Sequence, residues 1–240
     1  MAWQPPEGME EYLGATELCN CDNAGLQKRA KEIIEGAETP KEAAMKIFSF
    51  VRELPWKVDN NDTKASKTLS KGLGQCVNKT NLQIALLRAV GIPARYHQVN
   101  MKKEWLEPVV SGSMYKRIPE IVWWHPWCEC YLDGKWVACE SVFDEALYKA
   151  MLQEGLVTEE QIPTIDWDGE SDLIVVKPWL TEDAGTFPSL DDVFKKAQRE
   201  VSRPRILAWL LGWYFRCRSN RHTDGIRKKW KPPEAAPEEA

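Results

Sequence analysis

The sequence lacks an apolar stretch long enough to cross a bilayer, and it contains only three histidines. Its longest apolar run, residues 206–215, has ten residues, whereas a membrane-spanning helix needs about twenty. The first residues also lack the basic and apolar regions of a secretory signal peptide. We therefore expect a cytoplasmic protein whose seven cysteines are free thiols, because disulfides are rare in reducing compartments.

Residues 1–202 carry no excess of positive charge, and the chain as a whole has a net charge of −4. We therefore expect no nucleic-acid partner, since nucleic-acid binding needs a basic surface. Residues 203–231 are the exception, with nine Lys or Arg against one acid around the apolar run. This extension fits either a helix docked on the acidic body or an in-plane membrane anchor, and its apolar residues, which surround the helix, favour docking. Residues 232–240 are predicted to be a disordered tail.

The sequence also lacks cysteine pairs with the spacing of a structural zinc site. Cys19 and Cys21, like Cys128 and Cys130, are separated by one residue, whereas structural zinc sites use pairs separated by two to four. We expect no metal and no cofactor. Cys128 and Cys130 share one face of a predicted strand and, like Cys139, are predicted to fill the core. The role of Cys19 and Cys21 stays open.

The sequence does contain clear secondary-structure signals, and their order indicates an α+β domain. Helices come first, then a meander of strands, then further helices. Helices are predicted over residues 24–36, 39–54, 76–90, 144–155 and 189–203, and strands over residues 94–101, 122–132 and 135–143.

Cys76 lies between a glycine-containing loop and one of these helices. Gly72 and Gly74 let the backbone turn tightly and approach a ligand closely. The free N–H groups and the dipole of a helix N-terminus favour a thiolate and can stabilise an oxyanion. A nearby imidazolium would favour the thiolate further. These features suggest a nucleophile, although cysteine is often buried as a space-filling residue, and that role stays open.

A nucleophilic cysteine needs a base, and the three histidines are the candidates. His222 lies in the basic extension, which is not expected to provide a rigid scaffold. His97 lies in the strand that follows the Cys76 helix, and His125 opens the next strand. The residues alone leave His97 and His125 as alternatives.

Two segments, GQCVNKTNLQIALLRAVGIPAR and HPWCECYLDGKWVACES, together resemble the transglutaminase-like superfamily of papain-fold cysteine enzymes. The resemblance covers roughly residues 38–145. It implies a papain-like core in which the nucleophile helix packs on an antiparallel sheet. We expect this core to lie in a catalytic domain over residues 1–202, followed by a C-terminal helical extension over residues 203–231.

The resemblance also implies roles for individual residues. It makes Cys76 the nucleophile, and it favours His125 over His97 as the base. The third position, usually aspartate, matches Glu140, which is one methylene longer but can still accept the imidazole N–H. Asp144 is the alternative acid, although it also fits a helix cap.

Other residues near these positions are candidates for substrate contacts. Gln75 and the backbone N–H of Cys76 are candidates for the oxyanion site, and the N–H is the simpler choice. Trp124 and Trp127 are expected to line the substrate groove, with core packing as an equal alternative. Residues 100–118 form an insertion that fits either a lid or a surface loop.

The function implied by the resemblance is cysteine-dependent acyl transfer on peptide or side-chain amides of a peptide or protein substrate. We expect hydrolysis of the peptidase or amidase kind, in which water resolves a thioester. A protein-crosslinking transglutaminase, in which an amine resolves it, and a non-catalytic scaffold or binding module are the alternatives. The mechanism requires no cofactor, and no feature indicates an oligomeric state.

Overall fold

The computed structural model describes residue 3 and residues 5–59, 63–191 and 205–230, with side chains in the last segment described from residue 213. The α-helices of this part are α1 (Ala24–Ile33), α2 (Pro40–Glu53), α3 (Ala65–Lys71), α4 (Cys76–Ala89), α5 (Gly112–Tyr115), α6 (Glu145–Gln153) and α7 (Arg205–Arg227). The strands are β1 (Ala94–Lys102), β2 (Ile121–Leu132), β3 (Lys135–Ala138) and β4 (Leu180–Phe187).

The strands form one antiparallel sheet in the order β3-β2-β1-β4. β1 and β2 pair along most of their length, with His97 opposite Trp127. The tight turn between β2 and β3 places Asp133 and Gly134 at φ values of 49° and 84°. Positive φ at both central residues matches the right-handed twist of the flanking strands, so the hairpin predicted from the DG pair is confirmed.

The helix α4 lies at the centre of the molecule. It packs on β1 and β2 and contacts α1, α2 and α3. Every residue from Asn78 to Arg88 is buried, so the helix is enclosed rather than resting on the core with one face. The predicted α+β architecture, with a helix that begins at Cys76 against an antiparallel sheet, is therefore confirmed.

Capping residues set the starts of the first two helices. The side chains of Asn23 and Thr39 accept backbone N–H groups of the first turn, and Pro40 occupies the first position of α2. Both starts agree with the sequence prediction. The first helix ends at Ile33, three residues before the predicted end.

Three elements, α3, the four-residue α5 and β4, have no counterpart in the sequence prediction. α3 has only seven residues and buries two of them, so it carries little periodic signal. β4 is an edge strand whose residues are exposed or half-buried, so apolar and polar residues do not alternate along it. Tertiary pairing with β1, rather than local pattern, makes this segment a strand.

The second half of α7 docks on the body. Asn220 makes two hydrogen bonds with the backbone of Val58, at 2.7 and 3.1 Å. Arg227 pairs with Asp144 at 2.7 Å and also donates to the backbone oxygen of Trp56 at 2.8 Å. The docked arrangement favoured from the sequence is therefore what residues 213–230 adopt.

Some predictions fall on other parts of the chain. The helix predicted over residues 189–203, apart from residues 189–191, and the tail at residues 232–240 lie outside the described residues. None of the helices in the described part of the chain has the length and apolar character that a membrane span requires.

Candidate active site

Cys76 is the first residue of α4, and its half-buried side chain lines a cavity. Gln75 caps the helix in a reciprocal pair with Asn78, each side chain accepting the other's backbone N–H. Gly72 has a φ of 63° at the end of α3. A Cβ added at Gly74 would meet the Cβ of Asn78 at 2.6 Å. The loop therefore needs glycine at both positions, and it fixes where the sulfur lies.

His125 follows a β-bulge in β2. Val99 pairs with His125 and Met101 with Val122, so one residue of β1 lies opposite two of β2. One of these two, Trp124, has a φ of 75°, which is unusual for a bulky residue. Bulges redirect the side chains that follow them, and strained residues often adjoin functional sites. The bulge therefore sets the direction in which His125 leaves the strand.

Glu140 lies just beyond β3 and is buried with His125. His125 Nε2 and Glu140 Oε1 are 2.6 Å apart. The second carboxylate oxygen, Oε2, accepts the backbone N–H of Val176 at 3.1 Å. Both oxygens are thus held, and the longer side chain does reach the imidazole. The ring has its Nε2 proton towards the carboxylate, which leaves Nδ1 for another partner.

Cys76 lines the same cavity as His125 and influences the pKa of its ring. Burial lowers the pKa of His125, but the charge of the Cys76 thiolate and its hydrogen bonding, followed by Glu140, outweigh this and raise the pKa to about 10. The buried Nδ1 nevertheless makes no hydrogen bond of standard geometry within the described residues. The influence of Cys76 on the ring is therefore electrostatic. Such pairs are often loose before substrate binds.

The cavity beside Cys76 and His125 has a volume of about 190 Å³ and mostly aromatic and aliphatic walls. Of the predicted contact residues, Gln75 and Trp124 line it. Trp105, from the insertion that was predicted to be a lid or a surface loop, lines it too, together with Trp56 and Phe215, which sequence reasoning did not identify. They come from three distant segments and meet only in the folded chain. The abundance of tryptophan, twelve residues in all, is a sequence signal that indicates an aromatic site.

The insertion at residues 100–118 covers the histidine. The Trp105 ring packs edge-on against the His125 ring, with centroids 5.0 Å apart, and lies 5.7 Å from that of Phe143. Val109 and Val110 are buried too, so this insertion is part of the core rather than a loose surface loop. The packing keeps water from the His125–Glu140 pair, and electrostatic interactions are stronger in such surroundings.

The assignment of Trp127 to the substrate groove is corrected by the structure. Trp127 is buried, does not line the cavity and stacks on His97 with ring centroids 4.4 Å apart. His97 in turn contacts two carboxylates, Glu129 at 2.6 Å and Asp183 at 2.8 Å. Burial lowers the pKa of His97, but these carboxylates outweigh it and raise the pKa. His97 is thus a strand residue with both ring nitrogens occupied, as favoured from the sequence.

Asp144, the alternative acid, has other partners. Its carboxylate caps α6 by accepting the backbone N–H of Leu147, and it binds both the Arg227 guanidinium and the backbone N–H of Trp56. The structure therefore places Glu140, and not Asp144, beside His125.

The other cysteines are distributed as core residues. Cys128, Cys130 and Cys139 are buried, in agreement with the prediction, and Cys19 and Cys21 are buried as well. Within the described residues, no cluster of His, Cys, Asp or Glu side chains is arranged to hold a metal ion. Among the cysteines with a described side chain, Cys76 and Cys217 are the two that are not buried.

Comparison with known families gives one sequence match. The family described as the transglutaminase-like superfamily matches residues 27–141, a span that contains Cys76 and His125 and ends just after Glu140. No protein with a curated description matches the sequence.

Comparison with solved structures shows a similar fold. A crystal structure from Cytophaga hutchinsonii, named a "putative cysteine protease", is similar with a TM-score of 0.50 and 18% sequence identity. The similarity covers 78% of this chain and 50% of that protein, so this chain matches only half the neighbour's length. At this level of identity the likeness concerns the fold, and chemistry must be argued from the site.

Proposed function

Residues 27–141 belong to the transglutaminase-like superfamily, and from this premise we propose that the chain is a cysteine-dependent enzyme of acyl transfer. The observation that carries the proposal is that His125 has Glu140 on Nε2, lines the same cavity as Cys76 and has its pKa raised by Cys76. Nucleophile, base and orienting acid are the three parts that such chemistry needs.

In the proposed reaction, Cys76 reacts as a thiolate beside the protonated ring of His125, whose pKa is raised to about 10. The thiolate attacks the carbonyl carbon of an amide, and the carbonyl oxygen becomes an oxyanion near the first-turn N–H groups of α4. When the tetrahedral intermediate collapses, the C–N bond breaks and His125 gives its proton to the leaving amine. A thioester on Cys76 remains.

The second half of the reaction resolves the thioester. His125, now neutral, takes a proton from a water molecule, which attacks the thioester carbonyl. The C–S bond breaks, a carboxylic acid leaves and the thiolate–imidazolium pair is restored. We propose this hydrolytic outcome, of the peptidase or amidase kind. An amine in place of water would give transamidation, and the site needs no change of residues for that alternative.

The walls of the cavity support a preference in the substrate. Trp56, Trp105, Trp124 and Phe215 line it together with several aliphatic residues, and the volume of about 190 Å³ fits one side chain. Apolar surface gains most by leaving water for such walls. We therefore propose peptides with an apolar or aromatic side chain near the scissile amide.

Thiol labelling tests the proposal without a known substrate. Wild-type protein is treated with a small excess of iodoacetamide at neutral pH, and the labelled cysteines are identified by peptide mass mapping. We expect rapid labelling at Cys76, and labelling of Cys76 slowed by about 10²-fold or more in His125→Ala. Cys217 is the internal control, because it is also half-buried but does not line the cavity. Equal, slow labelling of both residues would favour the non-catalytic scaffold.

Product analysis then separates the two reactions. A library of peptides with varied side chains around a glutamine or a main-chain amide is incubated with enzyme, with and without a primary amine. New carboxyl groups in both mixtures would support hydrolysis. Amine adducts that replace them would support transamidation instead. Cys76→Ser is the blank for both mixtures.

A further inference from the structure

Helix α4 carries several buried polar side chains, although it lies inside the core. Lys79, Thr80 and Gln83 are all nearly inaccessible to solvent. Burying a polar group is unfavourable unless it is hydrogen-bonded, so each must have a partner in the fold. Each of these three has a partner in one of the chain segments that carry His125 and Glu140.

Gln83 binds on both sides of Glu140. Its Nε2 donates to the backbone oxygen of Cys139 at 3.0 Å, and its Oε1 accepts the hydroxyl of Ser141 at 2.6 Å. The carbonyl can only accept, so it requires the NH₂ end of the amide and fixes the orientation of the Gln83 side chain. One amide thus holds the residue before and the residue after the carboxylate.

Lys79 lies one turn before Gln83 and continues the same contact. Its ammonium donates to the backbone oxygens of Val142 at 3.0 Å and of Arg52 and Leu54 at 2.9 Å each. Three protons thus meet three carbonyl oxygens, which favours the charged form. Burial lowers the pKa of Lys79 to about 7, although the charge of Asp144 opposes this shift. Through Val142, Lys79 anchors the other end of the segment that contains Glu140.

Thr80 makes the corresponding contact with the histidine strand. Its hydroxyl donates to the backbone oxygen of Pro126 at 3.0 Å, and Pro126 directly follows His125. The contact lies just beyond the bulge at Trp124. The strand is therefore attached to the cysteine helix at the point where the bulge has redirected it.

We infer that Lys79, Thr80 and Gln83 are positioning residues, through which the cysteine's own helix sets the places of the base and the acid. This inference rests on the proposed function. Catalytic groups must be held to within a fraction of an ångström, which rigid elements and buried hydrogen bonds can supply. One helix thus positions all three groups of the proposed triad. It carries Cys76 itself, and its side chains hydrogen-bond to residues that adjoin His125 and Glu140 in the sequence.

The same helix offers a matched control. Asn81 is equally buried and donates to the backbone oxygens of Leu18 and Thr63, at 2.9 and 2.7 Å, while accepting the hydroxyl of Tyr96 at 2.5 Å. None of these partners adjoins Cys76, His125 or Glu140 in the sequence. Losing Asn81 should weaken the fold without moving the triad, whereas losing Gln83 should do both.

The test compares Gln83→Met with Asn81→Leu, both of which keep the approximate volume and remove the hydrogen bonds. The rate of Cys76 alkylation is measured from pH 5 to pH 10, and unfolding is followed by heat. We expect both variants to melt below the wild type. Only Gln83→Met should change the alkylation profile. On the acid side its rate should be about 10-fold below that of the wild type, because a displaced Glu140 stabilises the imidazolium poorly.

Two results would overturn the inference. One is a folded Gln83→Met protein whose alkylation profile coincides with those of the wild type and Asn81→Leu. If Gln83→Met does not fold, Ser141→Ala removes only the hydroxyl bond to Gln83, and an unchanged profile there is the second contrary result.

A separate measurement distinguishes this inference from the proposed function. The ring of His125 is titrated by NMR in wild type and in Gln83→Met, which requires no reactive thiol and no substrate. A lower pKa in the variant supports the positioning role even if Cys76 proves unreactive in both. An unchanged pKa contradicts it even if the protein proves to be a hydrolase.

Discussion

At the scale of single residues, the orientation of His125 depends on one buried carboxylate. Glu140 holds Nε2 at 2.6 Å and is itself held by the backbone N–H of Val176. An acid in this position selects the ring tautomer and stabilises the imidazolium that forms during the reaction. The substitution of aspartate by the longer glutamate is accommodated because Glu140 has bonds at both oxygens.

Replacing this carboxylate with an amide tests its role. In Glu140→Gln the charge is lost and the shape is kept, so we expect kcat/KM for a substrate peptide to fall by about 10²–10⁴-fold. Glu129→Gln is the control, since that carboxylate binds the sheet's other histidine, His97, and Arg95. Similar losses in both variants would argue against a specific role for Glu140.

At the scale of elements, the start of α4 depends on the close approach of the Gly74 backbone to the Asn78 side chain. A Cβ at Gly74 would lie 2.6 Å from the Cβ of Asn78, which belongs to the capping pair. Neither atom is the end of a flexible chain, so the loop itself would have to move. The position of the Cys76 sulfur is tied to this loop.

We therefore expect Gly74→Ala to disturb the site more than the fold elsewhere. Alkylation of Cys76 at neutral pH should slow by about 10-fold or more, because the sulfur leaves its place beside His125. Gly112→Ala is the matched control, as nothing lies within 4 Å of a Cβ there. The account would be contradicted if both alanine variants were labelled at the wild-type rate.

Elements also show what the sequence could predict. Side chains that act locally, such as the Asn23 and Thr39 caps and the DG turn, were readable because their partners lie within a few residues. The prediction for Trp127 was wrong because its partner, His97, lies on a neighbouring strand whose register the sequence does not give. Trp56 and Phe215 were missed because they come from distant segments that meet only in the folded chain.

At the scale of the whole molecule, the C-terminal helix connects the outer parts of the domain. Arg227 joins α7 to Asp144, the cap of α6, and to the backbone of Trp56, which lines the cavity. Phe215, also from α7, forms part of the cavity wall. The extension that the sequence set apart as an appendage therefore contributes to the site.

This junction predicts a pH dependence of stability. Burial raises the pKa of Asp144, but the Arg227 hydrogen bond and charge outweigh it and lower the pKa below its usual value. A carboxylate with a lowered folded-state pKa contributes stability that is present above its unfolded pKa, about 3.9, and is lost as the pH falls through the folded value.

Asp144→Asn keeps the helix cap but removes this charge. We expect the variant to have a lower free energy of unfolding than wild type at pH 7, by about 3 kcal/mol, the range for breaking a buried ion pair. The difference should shrink as the pH falls below about 4. Urea unfolding across pH 3 to 7 measures it. A difference that stays constant with pH would show that the charge of Asp144 is not the cause.

If Cys76 and His125 form one ionic pair, the titration of the His125 ring must depend on the Cys76 sulfur. The His125 Cε1–H resonance is followed by NMR from pH 5 to pH 11 in wild type and in Cys76→Ala. We predict that His125 stays protonated to about pH 10 in the wild type. In the variant its pKa should fall, because the thiolate is the largest influence that raises it. The same titration midpoint in both proteins would contradict the account.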